Sequence, residues 1–118
     1  MSNAFKVCDQ VPDGSRLEIN VAPKEGAYAT QVDLTISDSL PETFPHDEVV
    51  ASGVRKILES PKAYVATVHV HCLGEVSINV SARVVGPDEE TVCGEAWDIE
   101  CSGEAPPQLF VLIARTRN

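Results

Sequence analysis

The chain has 118 residues, of which 43% are hydrophobic, and a formal net charge of −9 from 18 acidic and 9 basic residues. That length predicts a single domain, residues 1–118, around one core, and the apolar content excludes a chain that is disordered throughout. The negative charge argues against nucleic acid as a direct ligand and against an anionic membrane surface, because both are held through Lys and Arg.

The opening Met1-Ser2-Asn3-Ala4 has neither the charged nor the apolar region of a secretion signal, and it reads as the remnant of a tag-cleavage site. On that reading, which is preferred, the protein is extracytoplasmic; if Met1 is native, it is cytoplasmic and its thiols are reduced. Residues 1–14 read as polar, closing on the turn signal Pro12-Asp13-Gly14. Ser15 to Ala22 alternates, with Leu17, Ile19 and Val21 on one side and Arg16, Glu18 and Asn20 on the other, the period of a half-buried strand. Pro23 to Gly26 turns the chain. Tyr28 to Ser37 alternates again, with Val32, Leu34 and Ile36 inward.

Residues 38–46 hold two prolines and read as loop. Asp47 to Ser60 changes period. Val50, Val54, Ile57 and Leu58 fall on one helical face, Asp47 and Glu48 sit at the positive end of the dipole, and Pro61 stops the run, so a short helix is expected there. Gly53 weakens that expectation by about 1 kcal/mol.

Tyr64, Ala66, Val68, Val70 and Cys72 then share one face, and Val76, Ile78, Val80, Ala82 and Val84 another. A hairpin with an odd-numbered loop at Leu73-Gly74-Glu75 places both apolar sets together, with Val70 opposite Ile78, His69 opposite Asn79 and His71 opposite Ser77. Gly86 to Glu90 is a turn. Thr91 to Cys101 alternates, with Cys93, Trp97, Ile99 and Cys101 on one side. Gly103 to Pro107 reads as loop, and Leu109 to Ala114 is a continuous apolar run, as for a strand covered on both faces. No apolar run reaches the ~18–20 residues of a membrane-spanning helix. The order is β-β-α-β-β-β-β. The expected fold is mainly β: an antiparallel sandwich, or a sheet of about six strands, with one short helix. An α+β arrangement is the alternative.

Four cysteines, Cys8, Cys72, Cys93 and Cys101, make an even set that fits disulfides. Cys93 and Cys101 lie in one extended strand, roughly 26 Å apart, and cannot join each other. The pairings left are Cys72–Cys101 with Cys8–Cys93, or Cys72–Cys93 with Cys8–Cys101. At least one bridge is expected, with Cys72–Cys101 the leading pair; buried free thiols are the plainer alternative.

Motifs that carry chemistry are sparse. His69 and His71 project from one strand face, as some metal sites require, but three or four ligands are needed and none stands beside them in the expected register. They are weak metal candidates and read better as a polar sheet face. No Cys-x-x-Cys pair, nucleophile elbow, P-loop or dinucleotide fingerprint is present, and no cofactor is implied. Asn79-Val80-Ser81 matches a glycosylation sequon, a pattern common by chance. Seven carboxylates, Asp88, Glu89, Glu90, Glu95, Asp98, Glu100 and Glu104, lie between Arg83 and Arg115 with no basic residue among them. They are the candidate contact for a basic protein surface, against the plainer reading of a solvated face. The functional expectation is a non-catalytic binding or structural module of an exported protein. A small acidic inhibitor or mimic that binds a basic partner is the alternative, and a small β-rich enzyme comes third.

Overall fold

The computed structural model describes residues 3–23, 30–37, 41–45, 49, 53–59, 62–72, 75–101 and 108–116, with the backbone alone for Asn3, Pro23, Thr30, Cys72, Val76 and Cys101. Among these described residues nine strands form: β1 (Asn3–Val11), β2 (Arg16–Pro23), β3 (Thr30–Ser37), β4 (Pro41–Phe44), β5 (Val54–Ile57), β6 (Ala63–Cys72), β7 (Val76–Val85), β8 (Thr91–Cys101) and β9 (Gln108–Thr116). They form two sheets, in the order β1-β9-β6-β3-β4 (sheet A) and β5-β2-β7-β8 (sheet B). The sheets pack as a sandwich, because β2, β3, β6, β7 and β9 turn runs of alternate apolar side chains inward. From sheet B come Leu17, Ile19, Ile78, Val80 and Val84; from sheet A come Val32, Leu34, Val68, Val70 and Leu112. All of these belong to one buried cluster.

Among the described strands only β3–β4 and β7–β8 are hydrogen-bonded hairpins; every other consecutive pair changes sheet. The expected hairpin between β6 and β7 is therefore not formed. β6 pairs with β3 and β9, while β7 pairs with β2 and β8. The connection carries the chain across the core, and the two apolar faces meet through the sandwich instead of side by side. Their inward residues are as expected: Val68, Val70, Ile78 and Val80 are all buried.

Among the described residues, 53–59 do not take up the helix expected over 47–60. Val54–Ile57 is a strand paired antiparallel with β2. Ahead of it stand two single-turn backbone bonds, Val49 N–H to the Pro45 carbonyl at 3.1 Å and Gly53 N–H to the Val49 carbonyl at 3.2 Å. Gly53 then takes φ +74°, the left-handed conformation that ends helical winding. A Cβ at Gly53 would lie 3.0 Å from the Ile19 carbonyl oxygen, so the close approach of β5 to β2 also requires glycine.

Two segments read as irregular are strands. Residues 41–44 form β4 at the edge of sheet A. Residues 3–11, in the stretch read as polar, form β1, which runs parallel to β9 from Asn3 opposite Leu109 to Val11 opposite Thr116, with a bulge after Cys8 where Gln10 takes φ 57°. The Pro12–Gly14 turn is present. Ser15 donates its N–H and its hydroxyl to the Pro12 carbonyl, at 3.3 and 2.7 Å, and Gly14 supplies φ +82°. The turn at 86–90 closes through Gly86 N–H to the Glu90 carbonyl at 2.8 Å. The loop expected at 103–107 and the turn at 24–26 lie outside the described residues.

The sandwich is clipped on both flanks. Cys8 of β1 and Cys93 of β8 join the two long edge strands with their Cα atoms 5.8 Å apart. On the other flank, Lys56 Nζ of β5 meets Glu42 Oε1 of β4 at 3.0 Å.

Candidate functional site

Strand register gives each sheet an outer face that can be described row by row. On sheet A, Val7, Ile113, Val65 and Ser37 form one row across β1, β9, β6 and β3. Phe5, Val111, Thr67 and Thr35 form the next, and Leu109, His69 and Asp33 continue the third beyond Asn3. Neighbours along such rows stand about 5 Å apart. The face is therefore apolar on its β1–β9 side and becomes polar toward β3. Phe5 is 65% exposed, Val7 47% and Val65 37%. Val111, flanked by Phe5 and Thr67, is nearly covered, and Leu109 and Ile113 are half-buried. Large apolar side chains gathered on an outer sheet face mark a contact surface more often than chance exposure does.

Among the described residues the bordering charges are few. Asp9 Oδ1 and Arg115 Nη1 stand 3.7 Å apart at the end of the face beyond Val7 and Ile113. Both edge strands of this flank carry a charge at an inward-facing position, Lys6 two residues before Cys8 and Glu95 two residues after Cys93. Inward charges and the β1 bulge are devices that block strand addition at an open edge. The outer face is left as the apolar approach.

The outer face of sheet B is mainly polar, with Ile57 an exposed apolar exception. Glu18 lies on β2 beside Arg55 of β5 and Arg83 of β7 in register. Arg83 donates to Glu18 Oε1 through Nη2 at 2.7 Å and Nε at 3.1 Å, Arg16 Nε donates to Oε2, and Arg55 Nε stands 3.9 Å away. Glu18 is only 3% exposed because these side chains lie over it, not because it enters the core. Hydrogen bonds from Arg16, and then from Arg83, hold its carboxyl below the usual carboxylate range against the opposing effect of burial. Arg16 also forks onto Glu89, through Nη1 to Oε1 at 3.0 Å and Nη2 to Oε2 at 2.6 Å. This pairing lowers the Glu89 carboxyl and raises the Arg16 guanidinium.

The acidic segment is accordingly divided. Glu89 is engaged by Arg16. Asp88 Oδ1 accepts the Glu90 N–H at 3.3 Å within the turn. Asp98 accepts Asn79 Nδ2 at 3.0 Å, which also engages the sequon asparagine. Glu90, Glu95 and Glu100 are exposed. Asp98 and Glu100 point from the outer face of β8, while Glu95 takes the inward-facing position at its edge; Glu104 lies outside the described residues. Trp97 packs against the core, its ring centroid 5.3 Å from that of Phe110.

His69 and His71 do share the outer face of sheet A, half-buried and exposed respectively. Their neighbours differ from those expected, since β7 is in the other sheet. His69 lies between Asp33 and Leu109, and His71 beside Gln31. Among the described residues no three metal-ligating side chains converge. Cys8–Cys93 is one of the two bridges in the first pairing considered; the side chains of Cys72 and Cys101 lie outside the described residues.

The apolar rows of sheet A escaped the sequence reading because Phe5 and Val7 sit in a stretch whose polar composition masks its strand alternation. No known protein family, curated protein or solved structure matches this chain.

Proposed function

We propose that this protein is a non-catalytic binding module of an exported protein, and that it engages its partner through the outer face of sheet A. The observation that carries this reading is the contiguous apolar set Phe5, Val7, Val65 and Ile113 on a flat sheet face, beside edges guarded against strand pairing. The Cys8–Cys93 bridge supports an oxidising compartment. A photo-crosslinking residue placed at Val7 and, separately, at Ile57 on the opposite sheet tests it. Ile57 is 63% exposed. Adducts formed from position 7 and absent from position 57 are expected; equal labelling from both positions, or none from position 7, refutes the reading.

A second reading places a basic protein on the acidic edge of β8. It is favoured by the exposure of Glu90, Glu95 and Glu100. Because Arg16 already engages Glu89, the charge reversals that test it belong at Glu95 and Glu100. Capture of a basic partner that weakens with those changes and with added salt supports it. Capture indifferent to both rejects it.

A further inference from the structure

Resting on that reading, we propose that the partner of the sheet A face is a second copy of this chain, docked about a two-fold axis running parallel to the strands between β1 and β9. The register makes the face self-complementary about that axis. β1 and β9 are adjacent, parallel and in step from Asn3 to Cys8, so a half-turn between them exchanges the two strands there without shifting their rows. Phe5 of one copy then lies over Val111 of the second and Val7 over Ile113, so both apolar rows meet apolar rows. Beyond them Asp9, in the bulge, and Arg115, 3.7 Å from it, stand at the same end of the face, so each comes near the opposite sign on the second copy. An isologous contact requires this kind of self-matching, and aligned face-to-face packing is the arrangement the two sheets already adopt in the interior.

Charge distribution favours the same face. Two chains of net charge −9 repel on approach. The exposed carboxylates Glu90 and Glu100 stand on sheet B and its turn, so this geometry directs them away from the contact. About this axis β1 and β9 face β9 and β1 of the second copy, while β6 of each copy lies beyond the β1 edge of the other. Two strands, with the two apolar rows and the Asp9–Arg115 end, span roughly 10 by 20 Å at the usual strand and residue spacings. That footprint, about 200 Å² per copy, is well below the ~800 Å² per partner of a standard stable interface, so the association is weak and concentration-dependent.

Sedimentation equilibrium over about 10 µM to 1 mM covers the range for such a contact. The wild type is expected to shift from monomer to dimer across it. Phe5→Ser is expected to weaken the dimer by about tenfold or more, and Ile57→Ser, on the opposite face, to leave it unchanged. Arg115→Asp should weaken it, and the swap Asp9→Arg with Arg115→Asp should restore it, each variant being checked for a native circular dichroism spectrum and melting profile. A wild type that stays monomeric throughout overturns the proposal, as does a dimer indifferent to Phe5→Ser. If the wild type is monomeric while the crosslinker at position 7 labels a different protein, self-association fails and the binding reading stands. If neither occurs, both fail.

Discussion

Cys8 on β1 and Cys93 on β8 are 85 positions apart in the chain and hold the long edges of the two sheets together with a Cα separation of 5.8 Å. A closure that long removes much freedom from the unfolded chain, a contribution on the order of 4 kcal/mol. Cys8→Ala with Cys93→Ala is therefore expected to lower unfolding stability by about that amount, and reductant to lower the wild type by at least as much. Urea titrations with and without reductant measure both. Equal midpoints in the two conditions would show that the bridge contributes nothing.

With Cys8 and Cys93 joined, Cys72 and Cys101 are left for each other. Both stand near the ends of the connection between β6 and β7. Cys101 is the register partner of Val76 in sheet B, and Cys72, in sheet A, stands at the other end of the short connection leading to Val76. Protein purified without reductant is expected to gain about 4 Da on full reduction, about 2 Da for each bridge. Proteolysis of the unreduced protein should yield one linked peptide pair containing Cys72 and Cys101. Alkylation of either thiol before reduction would disprove the second bridge.

The inward faces were legible in the sequence wherever a strand has one buried side and one wet side. Leu17, Ile19 and Val21, and likewise Val32, Leu34 and Ile36, alternate cleanly with polar neighbours and are all buried. What alternation does not encode is which strand lies beside which. An odd-numbered connection between β6 and β7 keeps Val70 and Ile78 on the apolar side whether the chain folds back in one sheet or crosses to the other. Parity thus places the inward side chains without choosing between a hairpin and a crossing to the other sheet. At Gly53 a helical period competed with a single left-handed residue, and the tertiary pairing of Val54–Ile57 with β2 decided the outcome. β1 was hidden because its outward positions carry Phe5 and Val7 while an inward-facing position carries Lys6, the reverse of an ordinary surface strand. That reversal is also what makes its outer face the candidate contact surface.

Substitutions on the two sides of β6 should differ sharply. Val70 is fully buried, so Val70→Asp places an unpaired carboxylate in the core and is expected to cost on the order of 3–5 kcal/mol, a large part of the stability of a domain this size. His71 is exposed on the outer face, and His71→Asn should change stability by less than about 0.5 kcal/mol. Thermal melts of the two variants check the contrast, and comparable losses would mean that the assigned faces of β6 are wrong.

Glu18 predicts a specific response to pH. Its carboxyl and that of Glu89 are both held below the usual range by hydrogen bonds from Arg16, with Arg83 adding a second set at Glu18. A group whose folded pKa is depressed contributes stability that is fully present above its unfolded value. That contribution is lost as the pH falls through the folded pKa. Stability should thus hold near neutrality and decline below about pH 4.3, where the carboxylates of the unfolded chain take up protons first. Glu18→Gln keeps the shape of the side chain but removes the charge that Arg16, Arg55 and Arg83 face. These arginines are 24%, 77% and 48% exposed, so solvent screens much of the interaction. The expected loss at neutral pH is about 1–2 kcal/mol. In acid the wild-type carboxyl becomes protonated and resembles the amide, so the difference between the two proteins should shrink toward zero. Urea titrations of both proteins at steps from about pH 7 to about pH 3 trace the two curves. A difference that stayed constant across that span would show that Glu18 acts through packing and hydrogen-bond geometry alone, with no contribution from its charge.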